Sequence, residues 1–291
     1  MLERNLIVEF ELFGKTFAIY WYGVMIAVGI LACFATLFLF AKVKKVDTKF
    51  TDFCFYNAIF AIAMGLGGAA LLQAIYNYIQ NPSAGFNLSG GLTFIGGLIG
   101  GVAFFLIVYS IVWRKFNDTL LKIMPIVASC ITVAHGFGRI GCFIAGCCYG
   151  KPTGSNFGCY FDTAQKVHPT QLYETAFLFI TFAILTFIAF KYTGKYNMGA
   201  YLIAYGIWRF VIEFVRGDDR GEFVKGISPS QFWAIIMVLL GVAYILAIKF
   251  DLFGKFARFL DIAKHNRSIK NGKKPANVSE NDESASQSEN E

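Results

Sequence analysis

Seven apolar stretches separated by polar connections dominate the sequence. A helix needs about 20 apolar residues to cross the hydrocarbon core of a bilayer, because each residue advances it by only about 1.5 Å. Of the 291 residues, 56% are hydrophobic and 15% are charged, which excludes an ordinary soluble domain. We therefore predict an all-α integral membrane protein with seven transmembrane helices, at residues 17–41, 53–76, 92–113, 120–141, 171–190, 198–215 and 231–249.

Positive charge is unequally divided between the two ends of these spans. The connections after odd-numbered spans, together with the tail, hold 17 of the 26 Lys and Arg residues, and the opposite side holds seven. Because Lys and Arg accumulate on the cytoplasmic side, we predict an amino terminus outside and a cytoplasmic carboxyl terminus. Residues 1–265 form the predicted membrane domain, and the polar residues 266–291 form a predicted disordered cytoplasmic tail.

Two arginines, Arg139 and Arg209, lie within the predicted spans. A cation at this depth costs at least a few kcal/mol unless it faces the bundle interior, water or an anion. Pairing with an acid such as Glu213 is one explanation for each arginine taken alone. Because two cations lie at similar depth in the outward half of the bundle, a bound anion is the better explanation.

The run from His135 to Gly150 continues the fourth apolar stretch but contains a histidine, Arg139 and several glycines, among them Gly141. Glycines allow close backbone approach and irregular conformations, which are tolerated at membrane depth only where protein or a polar cavity covers the backbone. His135 lies one turn before Arg139 on the same helical face. This pattern indicates one wall of a site.

Two further polar segments lie near the same side of the membrane. The segment 168–174 begins with His168, carries Pro169 in the first turn of the fifth helix and ends at Glu174; ordinary helix capping is the alternative explanation. In the sixth helix, Tyr205, Arg209 and Glu213 recur every four residues and share one face. We expect Glu213 to hold Arg209 while leaving part of its guanidinium group free.

The seven cysteines fall into two groups. Those inside apolar spans, Cys33, Cys54 and Cys130, are most simply small buried hydrophobes. Four others lie near the outer face, where a disulfide is chemically possible: Cys142, Cys147, Cys148 and Cys159. Free thiols, or one disulfide from Cys147 or Cys148 to Cys159, rank ahead of a metal site, because the spacing matches no standard zinc pattern. We expect no metal and no cofactor.

Five motifs occur in an order that resembles the bacterial prolipoprotein diacylglyceryl transferases: YWYG at residue 20, GGLIG at residue 96, GRIGCF at residue 138, HPTQLYE at residue 168 and YxxxRFxxE at residue 205. The similarity covers about residues 15–250. It implies transfer of a diacylglyceryl group from phosphatidylglycerol to the lipobox cysteine of a prolipoprotein signal peptide, with release of glycerol phosphate. It also implies a bacterial plasma membrane protein whose site faces the outer leaflet, with membrane lipids around it and no nucleic acid as partner.

The resemblance and the residues together indicate a candidate site. The expected catalytic residues are Arg139, Arg209, Glu213, Tyr205 and His135. The expected substrate-binding residues are Arg139, Tyr22, Gly97, Gly141, His168 and Glu174. We assign Arg139 and Arg209 to the phosphate, because planar guanidinium groups bind such oxygens bidentately and remain charged.

The sequence departs from the family pattern at four positions. Ile95 stands where many members carry a histidine, and Ala70 where an arginine is common. Cys142 and Cys147 stand where the signature usually has asparagine and glutamate. The general base is therefore open between His135 and Glu213, with Tyr205 and Tyr22 as candidate donors.

Two other functions fit part of the pattern. A small-anion transporter could use the same two arginines, but the inverted internal repeat typical of many transporters is not recognisable in the sequence. A family paralogue could bind phospholipid without transferring it, and the absence of the histidine keeps this alternative open.

Overall fold

The computed structural model describes residues 6–12, 15–88, 91–217 and 227–252, and within them it contains seven α-helices. The helices are α1 (Trp21–Val43), α2 (Thr48–Gln80), α3 (Phe94–Val112), α4 (Leu120–Ile144), α5 (Thr170–Lys191), α6 (Asn197–Ile212) and α7 (Pro229–Lys249). Among these residues, six helices are long and apolar enough to cross a membrane. Helix α6 has only 16 residues and continues into a 3₁₀ turn, Glu213–Val215. The predicted tail, 266–291, lies outside the described residues.

A two-stranded antiparallel sheet, which was not predicted from the sequence, precedes the first helix. Strand β1 (Leu6–Leu12) pairs with β2 (Lys15–Tyr20). The predicted first span began at residue 17, but residues 17–20 belong to β2 and the helix begins at Trp21. In residues 8–12, acidic side chains alternate with apolar ones, and this period of two suits a strand.

Glycines allow the helices to pack closely in pairs. Gly29 of α1 lies against the backbone of Ala134 in α4, where an added Cβ atom would come within 2.8 Å of the Ala134 carbonyl oxygen. Between α2 and α3, the backbones cross at Gly68 and Gly96, and a Cβ atom on Gly96 would lie 2.5 Å from the Gly68 oxygen. Close contact of this kind is typical of small residues in membrane helices, where dispersion forces and weak polar contacts replace the hydrophobic effect.

Gly68 provides a stability prediction with a neighbouring control. We expect Gly68→Ala to destabilise the protein by about 1–3 kcal/mol, because overpacking forces the helices apart, and its new methyl carbon would lie 2.7 Å from the Gly96 carbonyl oxygen. Gly67→Ala should be neutral or slightly stabilising, because nothing lies within 4 Å of its Cβ position and alanine favours a helix. Thermal unfolding of the detergent-solubilised variants measures the difference. Equal stability of the two variants would contradict close α2–α3 packing.

One end of the helix bundle is filled by apolar side chains, and the other end is polar. The apolar cluster joins the ends of α1 and α5 to the starts of α2 and α4, with Phe40, Phe50 and Ile126 among its most buried members. At the opposite end, the carboxyl termini of α4 and α6 approach the amino termini of α5 and α7 through side-chain contacts described below. This polar end contains Arg139, Glu174, Tyr205 and Arg209, which are among the predicted site residues.

Candidate functional site

Glu174 is the centre of the polar cluster. It lies in the second turn of α5 and is only 1% exposed. Its Oε2 atom accepts a hydrogen bond and forms an ion pair with Nη2 of Arg139 on α4. A carboxylate buried to this degree is stable in its ionised form only with such partners, so α4 and α5 are held together by a buried charge pair.

Two more side chains complete the surroundings of this carboxylate. The hydroxyl group of Tyr205, on α6, donates a 2.7 Å hydrogen bond to Oε1 of Glu174. The Nε2 atom of His135 lies 3.7 Å from the same oxygen, and its ring meets the Tyr205 ring edge-on with centroids 5.2 Å apart. The His135 side chain is 31% exposed, whereas the Glu174 side chain is buried. Three helices therefore meet at one acid, and an imidazole at its edge is accessible.

Arg209 is held by the acid that the helical spacing predicted. Its Nη2 atom lies 3.0 Å from Oε2 of Glu213 and donates a 2.7 Å hydrogen bond to the Ser230 hydroxyl group at the start of α7. The Ser228 hydroxyl group donates to Oε1 of Glu213 and accepts from the Gln231 backbone N–H. Ser228 and Gln231 thus form a capping box that fixes the start of α7 against Glu213.

Arg139 is paired with Glu174, Arg209 lies within the electrostatic reach of the same carboxylate, and both arginines retain unused donors. The Glu174 carboxylate interacts electrostatically with both Arg139 and Arg209. Among the described residues, Nε of Arg139 and Nη1 of Arg209 are buried and have no hydrogen-bond partner. A buried donor left without an acceptor costs about 1–3 kcal/mol. A bound anion would supply acceptors to both guanidinium groups, so the geometry suits an anion site.

The connection between α4 and α5 folds over this end of the bundle. Lys151 N–H donates to the Val215 carbonyl group, and Gly150 N–H donates to the His168 carbonyl group, both at 2.8 Å. The Gln171 and Thr170 side chains donate to the carbonyl groups of Cys147 and Cys148. These bonds attach the connection to the start of α5 and to the end of α6.

The remaining predicted site residues lie in three different surroundings. Tyr22, in the first turn of α1, packs on Gly141, whose added Cβ atom would lie 3.1 Å from the tyrosine ring. His168 lies in the connection, with its Nδ1 atom 3.3 Å from the Tyr173 hydroxyl group. Gly97 lies in the α2–α3 contact, next to Gly65. The structure places neither His168 nor Gly97 among the contacts of Glu174.

Three thiols gather just beyond Arg139. The Sγ atoms of Cys142, Cys147 and Cys148 all lie within 4.8 Å of one another. All seven cysteines lie in the described residues and are free, and Cys159 is not part of this group. Hydrogen bonds from the other two thiols, assisted by Arg216, lower the pKa of Cys148, and the hydrogen bonds with Cys142 and Cys148 raise the pKa of Cys147.

Sequence reasoning missed three features of this site. The Arg139–Glu174 pair joins residues 35 positions apart, and no local spacing indicates it. The Ser230 contact to Arg209 joins α6 to the start of α7 and was not predicted. The thiol cluster had a usable signal, because Gly146 follows the helix and allows the chain to turn back on Cys142.

Comparison with known proteins identifies the family. The family model for prolipoprotein diacylglyceryl transferase matches residues 8–247. A phosphatidylglycerol–prolipoprotein diacylglyceryl transferase of Clostridium tetani is 39% identical over 249 residues, which cover 81% of this chain and 94% of that protein. Similar proteins are a second such transferase of Clostridium perfringens (34% over 247 residues, 80% and 91%) and one of Francisella tularensis subsp. novicida (33% over 242 residues, 79% and 89%). The chain therefore belongs to the prolipoprotein diacylglyceryl transferase family.

Proposed function

We propose that this protein transfers the diacylglyceryl group of phosphatidylglycerol to the lipobox cysteine of prolipoproteins, forming a thioether and releasing glycerol phosphate. Family membership and the names of its relatives support this reaction. The observation that carries it for this chain is the pair of guanidinium groups beside Glu174, each with a buried donor that lacks an acceptor. A phosphodiester headgroup offers acceptors of the required charge and shape.

Arg139 and Arg209 would bind the phosphate and stabilise the charge that it gains as the glyceryl carbon–oxygen bond breaks. Fixed cations are most effective in a pocket that excludes water, because their field is weakly screened and they need no reorganisation. Glu174 and Glu213 would position the two guanidinium groups, since each acid contacts one terminal nitrogen and leaves other nitrogens available. Tyr205 would fix Glu174 through its hydrogen bond.

The acceptor thiol must lose its proton before or during its attack on the glyceryl carbon, because the thiolate is the nucleophile. Among the candidate residues, His135 is the best placed to act as the base. Its ring borders Glu174 and Tyr205, and its side chain is 31% exposed, so a substrate can approach it. Glu213 and Tyr205 are engaged with other groups in hydrogen bonds.

We further propose that the seven helices all span the bacterial plasma membrane, with the amino terminus outside, the carboxyl terminus in the cytoplasm and the site facing the outer leaflet. The chain is a multi-pass membrane protein, and the unequal distribution of Lys and Arg supports this orientation. The polar cluster lies at the end opposite the Lys-rich connections, among them Lys44 and Lys122. Residues 1–265 would form the membrane domain and residues 266–291 a cytoplasmic tail. Phosphatidylglycerol, prolipoprotein signal peptides and membrane lipids would be its partners.

Expression in bacteria depleted of their own transferase tests the proposed function. We expect the protein to restore lipidation, seen as the incorporation of a radiolabelled fatty acid into prolipoproteins and as a change in their gel mobility. Purified protein should also transfer the labelled group from phosphatidylglycerol to a lipobox peptide. A peptide with serine in place of cysteine is the control and should remain unlabelled. Stable, membrane-inserted protein that labels no cysteine peptide would contradict the proposal.

A further inference from the structure

The end of α4 folds back so that two cysteines come into contact. Gly146 adopts a positive φ of 63°, its N–H donates to the Phe143 carbonyl group, and Cys147 N–H donates to the Cys142 carbonyl group. This pair of bonds is a Schellman motif, in which the residues at the positions of Cys142 and Cys147 commonly make an apolar contact. The motif by itself explains why these two side chains are neighbours.

The third thiol is not explained by the motif. Cys148 has a φ of 65°, in the left-handed region that non-glycine residues rarely adopt. Hydrogen bonds from Gln171 and Thr170 to the carbonyl groups of Cys147 and Cys148 hold the backbone in this shape. The cost of the conformation is of order 1 kcal/mol or more, and its result is that the Cys148 sulfur joins the other two.

Three sulfur atoms within 4.8 Å of one another are close to the geometry that a metal ion requires. Tetrahedral zinc has Zn–S bonds of about 2.3 Å, which place its sulfur ligands about 3.8 Å apart. The sulfur atoms would have to move together by up to about 1 Å to reach that spacing. Thiolates select soft ions such as Zn²⁺, and three protein ligands with an open fourth position are typical of catalytic zinc rather than structural zinc.

We propose that Cys142, Cys147 and Cys148 bind one Zn²⁺ ion, whose fourth position takes the cysteine thiol of the prolipoprotein. Arg139 lies one helical turn before Cys142, and Arg216 interacts electrostatically with Cys148, so two cations lie near the negative charge of a three-thiolate site. Metal binding ranks last among the roles predicted for these cysteines, because their spacing in the chain matches no standard motif. The cluster depends instead on the turn at Gly146.

This ion would promote the loss of the proton from the acceptor thiol. Ile95, which stands at the position of the family histidine, cannot accept that proton. A thiol that coordinates zinc is deprotonated outright, and its proton passes to His135, the proposed base. The metal-bound sulfur then forms a bond to the terminal glyceryl carbon, while the carbon–oxygen bond to the phosphate breaks and its electron pair leaves with glycerol phosphate. The thioether product, a weaker ligand than a thiolate, dissociates. This inference rests on the proposed function for its acceptor, but the binding of the ion does not.

Cobalt titration tests the site directly, because Co²⁺ bound to thiolates produces a charge-transfer band in the near ultraviolet. The full chain, purified in detergent under reducing conditions and stripped with a chelator, should bind one Co²⁺ that Zn²⁺ displaces. A lipobox peptide should alter the visible cobalt bands, and its serine counterpart should not. Wild-type protein that binds no Co²⁺, or that contains a disulfide between two of these cysteines, would overturn the site. Unchanged bands with the cysteine peptide would overturn the acceptor role.

Matched variants separate the metal site from a loss of folding. Cys148→Gly suits the positive φ and should fold normally, yet weaken Co²⁺ binding at least tenfold; Cys142→Ala and Cys147→Ala should weaken it equally. Cys159→Ala, which removes a cysteine outside the cluster, should bind as the wild type does. Undiminished binding by Cys148→Gly would overturn the proposal. Lipidation without Co²⁺ binding would exclude the metal site and leave the proposed function intact. Co²⁺ binding without lipidation would leave the metal site intact and exclude the proposed function.

Discussion

Arg139→Ala should reduce diacylglyceryl transfer by a factor of about 10²–10³ or more, which is the usual effect of removing one fixed group that stabilises developing charge. The variant loses both a donor to the phosphate and the charge that faces the leaving group. Arg139→Lys should retain only part of the activity. Its ammonium group can pair with Glu174, but it cannot donate the two parallel hydrogen bonds of a planar guanidinium group. Initial rates with labelled phosphatidylglycerol and a lipobox peptide measure both variants.

Controls must separate this loss from a defect in folding. Arg139→Ala leaves the buried Glu174 carboxylate without its cation, so its elution profile and unfolding temperature are compared with those of Arg139→Lys. Arg114→Ala removes an arginine that stacks on Trp113 at the far end of α3, and its rate should stay within about twofold of the wild type, as expected for a surface change. A folded Arg139→Ala protein with more than a tenth of wild-type activity would exclude Arg139 from the phosphate site.

The helices were predictable because their main signal is local. Runs of about 20 apolar residues specify a membrane span wherever they occur, and the predicted spans overlap all seven helices of the described residues. The ends of the helices were harder to predict, because apolar residues also occur in strands. Phe17 was assigned to the first span although it belongs to β2, and α6 stops at Ile212 before the 3₁₀ turn that was included in the sixth span.

The candidate site was predictable where it depends on one helix and unpredictable where helices meet. The Arg209–Glu213 pair follows from a spacing of four residues on α6. The partner of Arg139 does not follow from sequence, because the packing of α4 on α5 decides which acid it meets. Glu174 was selected for its place in a motif near the membrane surface, and its nearly complete burial among Arg139, His135 and Tyr205 emerges only in three dimensions.

Glu174→Ala should destabilise the protein by about 3–5 kcal/mol, the usual cost of removing one partner of a buried ion pair. The substitution leaves the Arg139 cation buried without its counter-ion, and it leaves the Tyr205 hydroxyl group without its acceptor. Chemical or thermal unfolding in detergent measures the change. Glu9→Ala, which removes an exposed carboxylate from β1, is the matched control and should shift the free energy of unfolding by no more than about 0.5 kcal/mol.

A double-mutant cycle assigns this loss to the pair. If the cost of Glu174→Ala arises mainly from an uncompensated Arg139 charge, then Arg139→Ala/Glu174→Ala should be no less stable than either single variant, because neither charge remains buried alone. Additive losses in the double variant would show that the two residues stabilise the bundle independently. In that case Glu174 would not be the group that positions Arg139. Another acid would have to hold Arg139 in the proposed phosphate site.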